Sequence, residues 1–214
     1  MLNKLREPFS GLSHLAAAIV SFIGLFFLLK FNNDIVKEIA LLIYGISLTV
    51  MFSSSAAYHL IKSKPQVTAY LRKMDHSAIF LLIAGTYTPI CLHFFSGFWR
   101  TGLLTISWSI AILGISLKLW TTKTPRWIST GLYLFMGWIS LAALKQIFSS
   151  MPAAALVWFF LGGFFFTAGA VIYGLKKPNF FQGTFGFHEI WHIFVILGCF
   201  CHYILIAAFI AYHA

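Results

Sequence analysis

The sequence predicts an all-α, polytopic membrane protein with seven transmembrane helices, and three observations carry that prediction. Of the 214 residues, 60% are hydrophobic and only 9% are charged. A soluble globule carries about a quarter charged residues, so this chain has too little polar material to coat one. The apolar residues fall into seven runs, each long enough to cross a hydrocarbon core of about 30 Å. Within the runs nearly every face is apolar, with Gly, Ser and Ala interspersed, whereas a β-barrel would alternate polar and apolar residues over segments of about ten.

The first run, 12–29, follows a leader that holds Glu7 and Pro8. These two residues, and the lack of a small-residue cleavage site before a polar stretch, argue for a retained helix over a cleaved signal. The second, 39–61, ends in polar residues including Ser55 and His59. The third, 75–95, opens on Asp75 and contains Pro89, which should kink it while Thr86 or Thr88 satisfies the freed carbonyls. The fourth and fifth, 102–119 and 127–144, and the sixth, 153–173, are apolar on nearly every face apart from Lys118 near the end of the fourth, with Trp and Tyr near the ends as interface anchors. The seventh, 188–212, opens on His188. No connection exceeds about 15 residues, no fixed-period repeat is evident, and residues 1–214 read as a single seven-helix domain.

Fifteen Lys and Arg against five Asp and Glu give a net charge of +10. In a soluble protein that excess would raise nucleic acid as a partner; here its distribution leaves nucleic acid no place. With the N-terminus in the cytoplasm and the C-terminus outside, Lys4, Arg6, Lys62, Lys64, Arg72, Lys73, Lys118, Lys123, Arg126, Lys176 and Lys177 fall inside, which is 11 of the 15. The positive-inside rule favours that orientation, and the partner is membrane lipid.

Ionisable groups inside spans cost several kcal/mol unless they face a polar interior, so each is a candidate functional residue. Topology sorts them. Ser55 and His59 near the end of the second span, Asp75 at the start of the third, and His188 and His192 at the start of the seventh all converge at one depth on the cytoplasmic side. His188 and His192 are one turn apart and about 40° apart around the axis, a spacing that suits two ligands of one metal ion. His59 would make a third and leave one position open, as in a catalytic zinc site. The plainer reading of each His is an interfacial side chain satisfied by water. Ser55 lies one turn before His59, and a span serine often only bonds its own i−4 carbonyl. Asp75 is either an N-cap before an apolar run or a general base for a water activated at the metal.

His202, about 15 Å deeper on the seventh span, either lines a cavity beneath the metal or is a hydrogen-bonded core histidine. His14 lies on the cytoplasmic side, close enough to orient a ligand. His76 reads as a helix-start residue, and His93 and His213 as interfacial. Cys91, Cys199 and Cys201 lack the spacing of a disulfide framework.

Ser55-x-x-x-His59, Asp75 in Lys-Met-Asp-His-Ser-Ala-Ile-Phe-Leu-Leu-Ile-Ala-Gly-Thr-Tyr-Thr-Pro, His188-x-x-x-His192 followed by Phe-Cys-His-Tyr, and Glu7 with Ser13-His14 together resemble the bacterial hemolysin III family. That family is grouped with the progestin and adipoQ receptors and, more distantly, the alkaline ceramidases. The resemblance covers the whole chain. It implies a seven-helix fold in the bacterial inner membrane, with Zn2+ near the cytoplasmic face. His59, His188 and His192 match the zinc-ligand positions, and Asp75 and Ser55 match those that hold a water at the metal.

Two functions follow as expectations. One is a zinc-dependent hydrolase of a lipid amide or ester, with Asp75 and Ser55 catalytic. The other is a receptor-like or membrane-perturbing, haemolytic protein whose zinc is structural, closed by Asp75 as a fourth ligand. An ion transporter would need charged residues near the bilayer midplane, which only His202 approaches.

Overall fold

The computed structural model describes residues 5–30, 34–121, 124–181 and 185–212. Lys4, Lys123 and His213 lie outside them. Seven helices long and apolar enough to cross a membrane follow one another: α1 (Pro8–Leu29), α2 (Ile35–Leu60), α3 (Pro65–Phe94), α4 (Gly97–Trp120), α5 (Arg126–Ser150), α6 (Ala153–Leu175) and α7 (Phe187–Ala211). All seven expected spans are present, and their outward faces are apolar, as Val20, Leu113 and Val157 illustrate. Such a continuous apolar exterior is the surface of a lipid-embedded protein.

Helix ends differ from the expected ones for local reasons. α2 begins four residues early because Asp34 caps it, its carboxylate accepting from Val36 N at 2.8 Å and Lys37 N at 3.4 Å. α3 begins at Pro65, ten residues before Asp75, with proline in its first turn, where the missing N–H costs nothing. Asp75 is therefore inside a helix and not an N-cap, and His76 is not a helix-start residue. Helix α3 continues through Pro89. Thr86 donates to Leu82 O at 2.8 Å and Thr88 to Ala84 O at 2.9 Å, but the carbonyl that Pro89 frees is that of Gly85. The hydroxyl compensation expected there acts one and three residues away.

α5 changes to 3-10 geometry over Ile139–Ala143 before resuming as α-helix. The cause is Tyr87 of α3, whose hydroxyl donates towards Gly137 O at 2.8 Å and Met136 O at 3.1 Å and accepts from Ser140 N at 3.1 Å. A side chain inserted into the ladder this way tightens or bends a helix.

Packing neighbours place α1, α2, α3, α5, α6 and α7 in a closed ring, with α4 outside it against α3. Small residues allow the close approaches: a Cβ on Gly114 of α4 would stand 2.5 Å from Phe80 of α3. Interhelical hydrogen bonds tie the ring, among them Trp138 Nε1 to Thr167 at 2.9 Å, Tyr133 to His76 O at 3.0 Å and Tyr203 to Gly24 O at 2.9 Å. Each is worth about 1 kcal/mol in a membrane. Inside the ring lies a cavity of about 460 Å³ to which α4 contributes no residue. It runs from Arg126 at the start of α5 past Asp75 and His192 to Phe95, just beyond the end of α3.

Candidate metal centre

The residues before α1 dock onto the last turn of α2, whose carbonyls have no partner within the helix. Glu7 N donates to His59 O at 2.9 Å, Arg6 N to Leu60 O at 3.4 Å, and Arg6 Nη1 to Tyr58 O at 3.1 Å. The Arg6 guanidinium lies 4.1 Å above the Tyr58 ring and holds Glu7 Oε1 at 3.0 Å. Glu7 is thereby aimed at His59, with Oε2 at 2.5 Å from Nδ1. Burial would raise the Glu7 carboxyl, but the hydrogen bond and charge of His59, with Arg6, outweigh it and hold the group at about 2.

α7 presents the other two imidazoles. Its start is fixed by Glu189, whose Oε2 accepts from Gly186 N at 2.8 Å, so His188 and His192 project from one face into the cavity. His59, His188 and His192 form a group whose ligand atoms all lie within 4.8 Å of one another, and this group can hold a metal ion. The donor set fits one well. His188 Nε2 and His192 Nε2 are 3.3 Å apart, and two nitrogens each at 2.0–2.1 Å from a tetrahedral ion stand roughly 3.4 Å apart. His192 Nδ1 is 2.8 Å from His14 Nε2, and His59 Nδ1 is held by Glu7. In both rings the second nitrogen is fixed by a partner and Nε2 is left for a metal.

Ser55 and Asp75 stand beside the group, both buried, with the Ser55 hydroxyl close to the Asp75 carboxylate. Asp75 is not in the group of mutually close ligand atoms. The five residues singled out from the sequence thus come together. His14 touches His192 as expected, and His202 meets both descriptions given for it: it lines the cavity and its Nε2 lies 3.3 Å from Phe159 O. Sequence reasoning had left Glu7 out of the site. Its pairing with Arg6 beside the polar end of α2 was the available signal. Among the described residues all three cysteines are free.

A sequence profile of the family described as Haemolysin-III related matches residues 2–203. The chain belongs to the hemolysin III family. The Hemolysin-3 homolog of Bacillus subtilis (strain 168) is 35% identical to it over 195 residues, covering 90% of this chain and 88% of that protein. Hemolysin-3 of Bacillus cereus is 32% identical, covering 90% and 86%. The Adiponectin receptor protein of Drosophila melanogaster is 28% identical over 89% of this hemolysin III chain, which spans 48% of the receptor. The expected family and its wider kinship with adipoQ-type receptors are both borne out.

Proposed function

We propose that this hemolysin III protein is a zinc-dependent hydrolase of a lipid amide or ester, embedded in a bacterial inner membrane with its histidine end facing the cytoplasm. The observation that carries the reading is three mutually close imidazoles with the Asp75–Ser55 pair just outside them, at one end of a cavity of about 460 Å³ with many apolar residues in its wall. The distribution of Lys and Arg supports the orientation. Zinc, when bound, supplies a Lewis acid and makes water acidic enough to lose a proton near neutral pH. Asp75 would serve as the proton carrier of such a hydrolysis, accepting a proton from the attacking water and passing it to the leaving amine or alcohol as the carbonyl–heteroatom bond breaks. The Ser55 hydroxyl fixes one carboxylate oxygen and so orients the other. The apolar cavity wall holds the acyl chain and excludes bulk water.

Purified protein in lipid, incubated with ceramide-like and other acyl-amide substrates, tests this. Zinc-dependent fatty acid release, lost in Asp75→Asn with zinc retained, is the expected result; no release from any substrate sinks the proposal. The relatives' names, Hemolysin-3 and Adiponectin receptor protein, favour a second reading, a membrane-perturbing or receptor-like role with a structural metal. That role calls for a fourth protein ligand, and Asp75 stands outside the close group. Erythrocyte lysis by purified protein, equal in wild type and His192→Ala, would detach haemolysis from the metal.

A further inference from the structure

Beside the histidines, where the Tyr173 ring lies 5.8 Å from that of His188, the helices that carry no proposed imidazole ligand bring basic groups together. Arg72 and His76 come from α3, Lys118 from α4 and Arg126 from α5; Arg72, Lys118 and Arg126 all act electrostatically on the His76 ring. Arg72, His76 and Arg126 line the cavity. Tyr173 of α6 faces both arginines, with the Arg126 guanidinium 5.9 Å from its ring centre. Lys118 is only 2% exposed, and its ammonium donates at 2.5 Å to Ser129, another cavity-lining residue.

Asp75 acts on Tyr173 together with both arginines, but among the described residues no carboxylate forms an ion pair with Arg72, Lys118 or Arg126. All five acidic residues of the chain are among those described, and none of them stands within ion-pairing distance of these three cations; Glu7 meets Arg6, His59 and His188 instead. Asp34 caps α2 and Glu189 caps α7. Asp75, the acid nearest in sequence to Arg72, faces Ser55 and His59. Like charges gathered at the edge of a low-dielectric bundle, one of them fully buried, are unfavourable unless an anion joins them. Residues that merely orient a membrane protein do so from its loops and snorkel to water; Lys118 points inward.

We infer that Arg72 and Arg126, backed by Lys118 and Tyr173, form an anion-binding subsite at the mouth of the cavity that takes the phosphate or carboxylate head of an amphiphile whose chain lies in the cavity. Arg72 is one turn before Asp75, about 4.5 Å nearer the start of α3. A ligand anchored there by its head places the first bonds of its chain beside Asp75 and the histidines and its tail toward Phe95. Resting on the hydrolase reading, this names the substrate class: an acyl amide or ester whose leaving group is anionic. The subsite itself does not depend on that reading. Arginine forks suit such heads because they bind oxyanions through two hydrogen bonds at once.

Dodecylphosphonate, which has no hydrolysable bond, is the probe, titrated calorimetrically into full-length protein in a maltoside detergent with and without EDTA. Saturable binding near one equivalent is expected in both conditions, weakened roughly tenfold or more in Arg72→Gln/Arg126→Gln with metal content unchanged. Arg126→Gln alone, at an exposed position, serves if the double variant does not fold. Inorganic phosphate is the second arm: arginine-dependent binding as tight as that of the phosphonate would overturn the amphiphile and assign a free anion. Binding lost with EDTA, or untouched by either variant, overturns the subsite. Failure of the hydrolase assay with intact phosphonate binding would strike the catalytic reading alone.

Discussion

His14 Nε2 lies 2.8 Å from His192 Nδ1, joining α1 to α7 across 178 residues of sequence. The bond fixes a tautomer. If His192 is to offer Nε2 to a metal, its proton sits on Nδ1 and is donated to His14, which then carries its own proton on Nδ1. His14→Phe keeps a ring against Phe52, whose centroid is 5.0 Å away, but removes the acceptor. Metal affinity should fall about 10- to 100-fold, read by competition with a fluorescent chelator, and His14→Gln should recover part of it.

Glu7 does for His59 what His14 does for His192. Glu7→Ala should cost metal affinity on the same scale, about 10- to 100-fold, and Glu7→Gln less, since an amide oxygen still accepts from Nδ1. Arg6→Ala, which leaves the Glu7 carboxylate in place but removes the guanidinium that steadies it at 3.0 Å and that also bonds Tyr58 O, should cost less than either. Equal affinity in all three variants would remove the N-terminal segment from the site.

The docking of α1 on α2 leaves no room at Gly11, where a Cβ would stand 2.5 Å from Leu60 Cγ and 3.2 Å from Leu60 N. Gly11→Ala should lower stability by about 1–3 kcal/mol and weaken metal binding through the displaced Glu7. Gly131→Ala on α5 meets nothing within 4 Å. It should instead stabilise the helix by about 0.5–1 kcal/mol. Thermal unfolding in detergent compares the two.

Acid should strip the metal. Three imidazoles must be neutral to ligate, so affinity should fall as the pH is lowered, with up to three protons taken up per ion released. Glu7, held at about 2, stays ionised throughout and adds no step. A chelator titration at successive pH values gives the slope; a flat profile down to pH 5 would mean that carboxylates carry the binding.

Seven spans and five site residues were legible because they depend on local pattern: hydropathy over a helix length, and one-turn spacing on a face. The start of α3 was not. Residues 65–74 carry Arg72 and Lys73 and too little apolar surface to register as a span, yet proline in the first turn starts a helix there regardless. Asp75 consequently looked like a cap. Glu7 was missed for a different reason: its role depends on backbone pairing between the leader and the end of α2, a long-range contact with no periodic signature. The basic cluster of α3, α4 and α5 was likewise hidden, because the positive-inside pattern accounts for the same residues one at a time.

The candidate metal centre draws on both ends of the chain, with Glu7 and His14 at one and His188 and His192 at the other. During synthesis, a chain that has delivered six helices to the membrane holds one of the three clustered imidazoles. The three imidazoles are together only once the last helix is in place, so the candidate metal centre cannot exist before insertion of the bundle is complete.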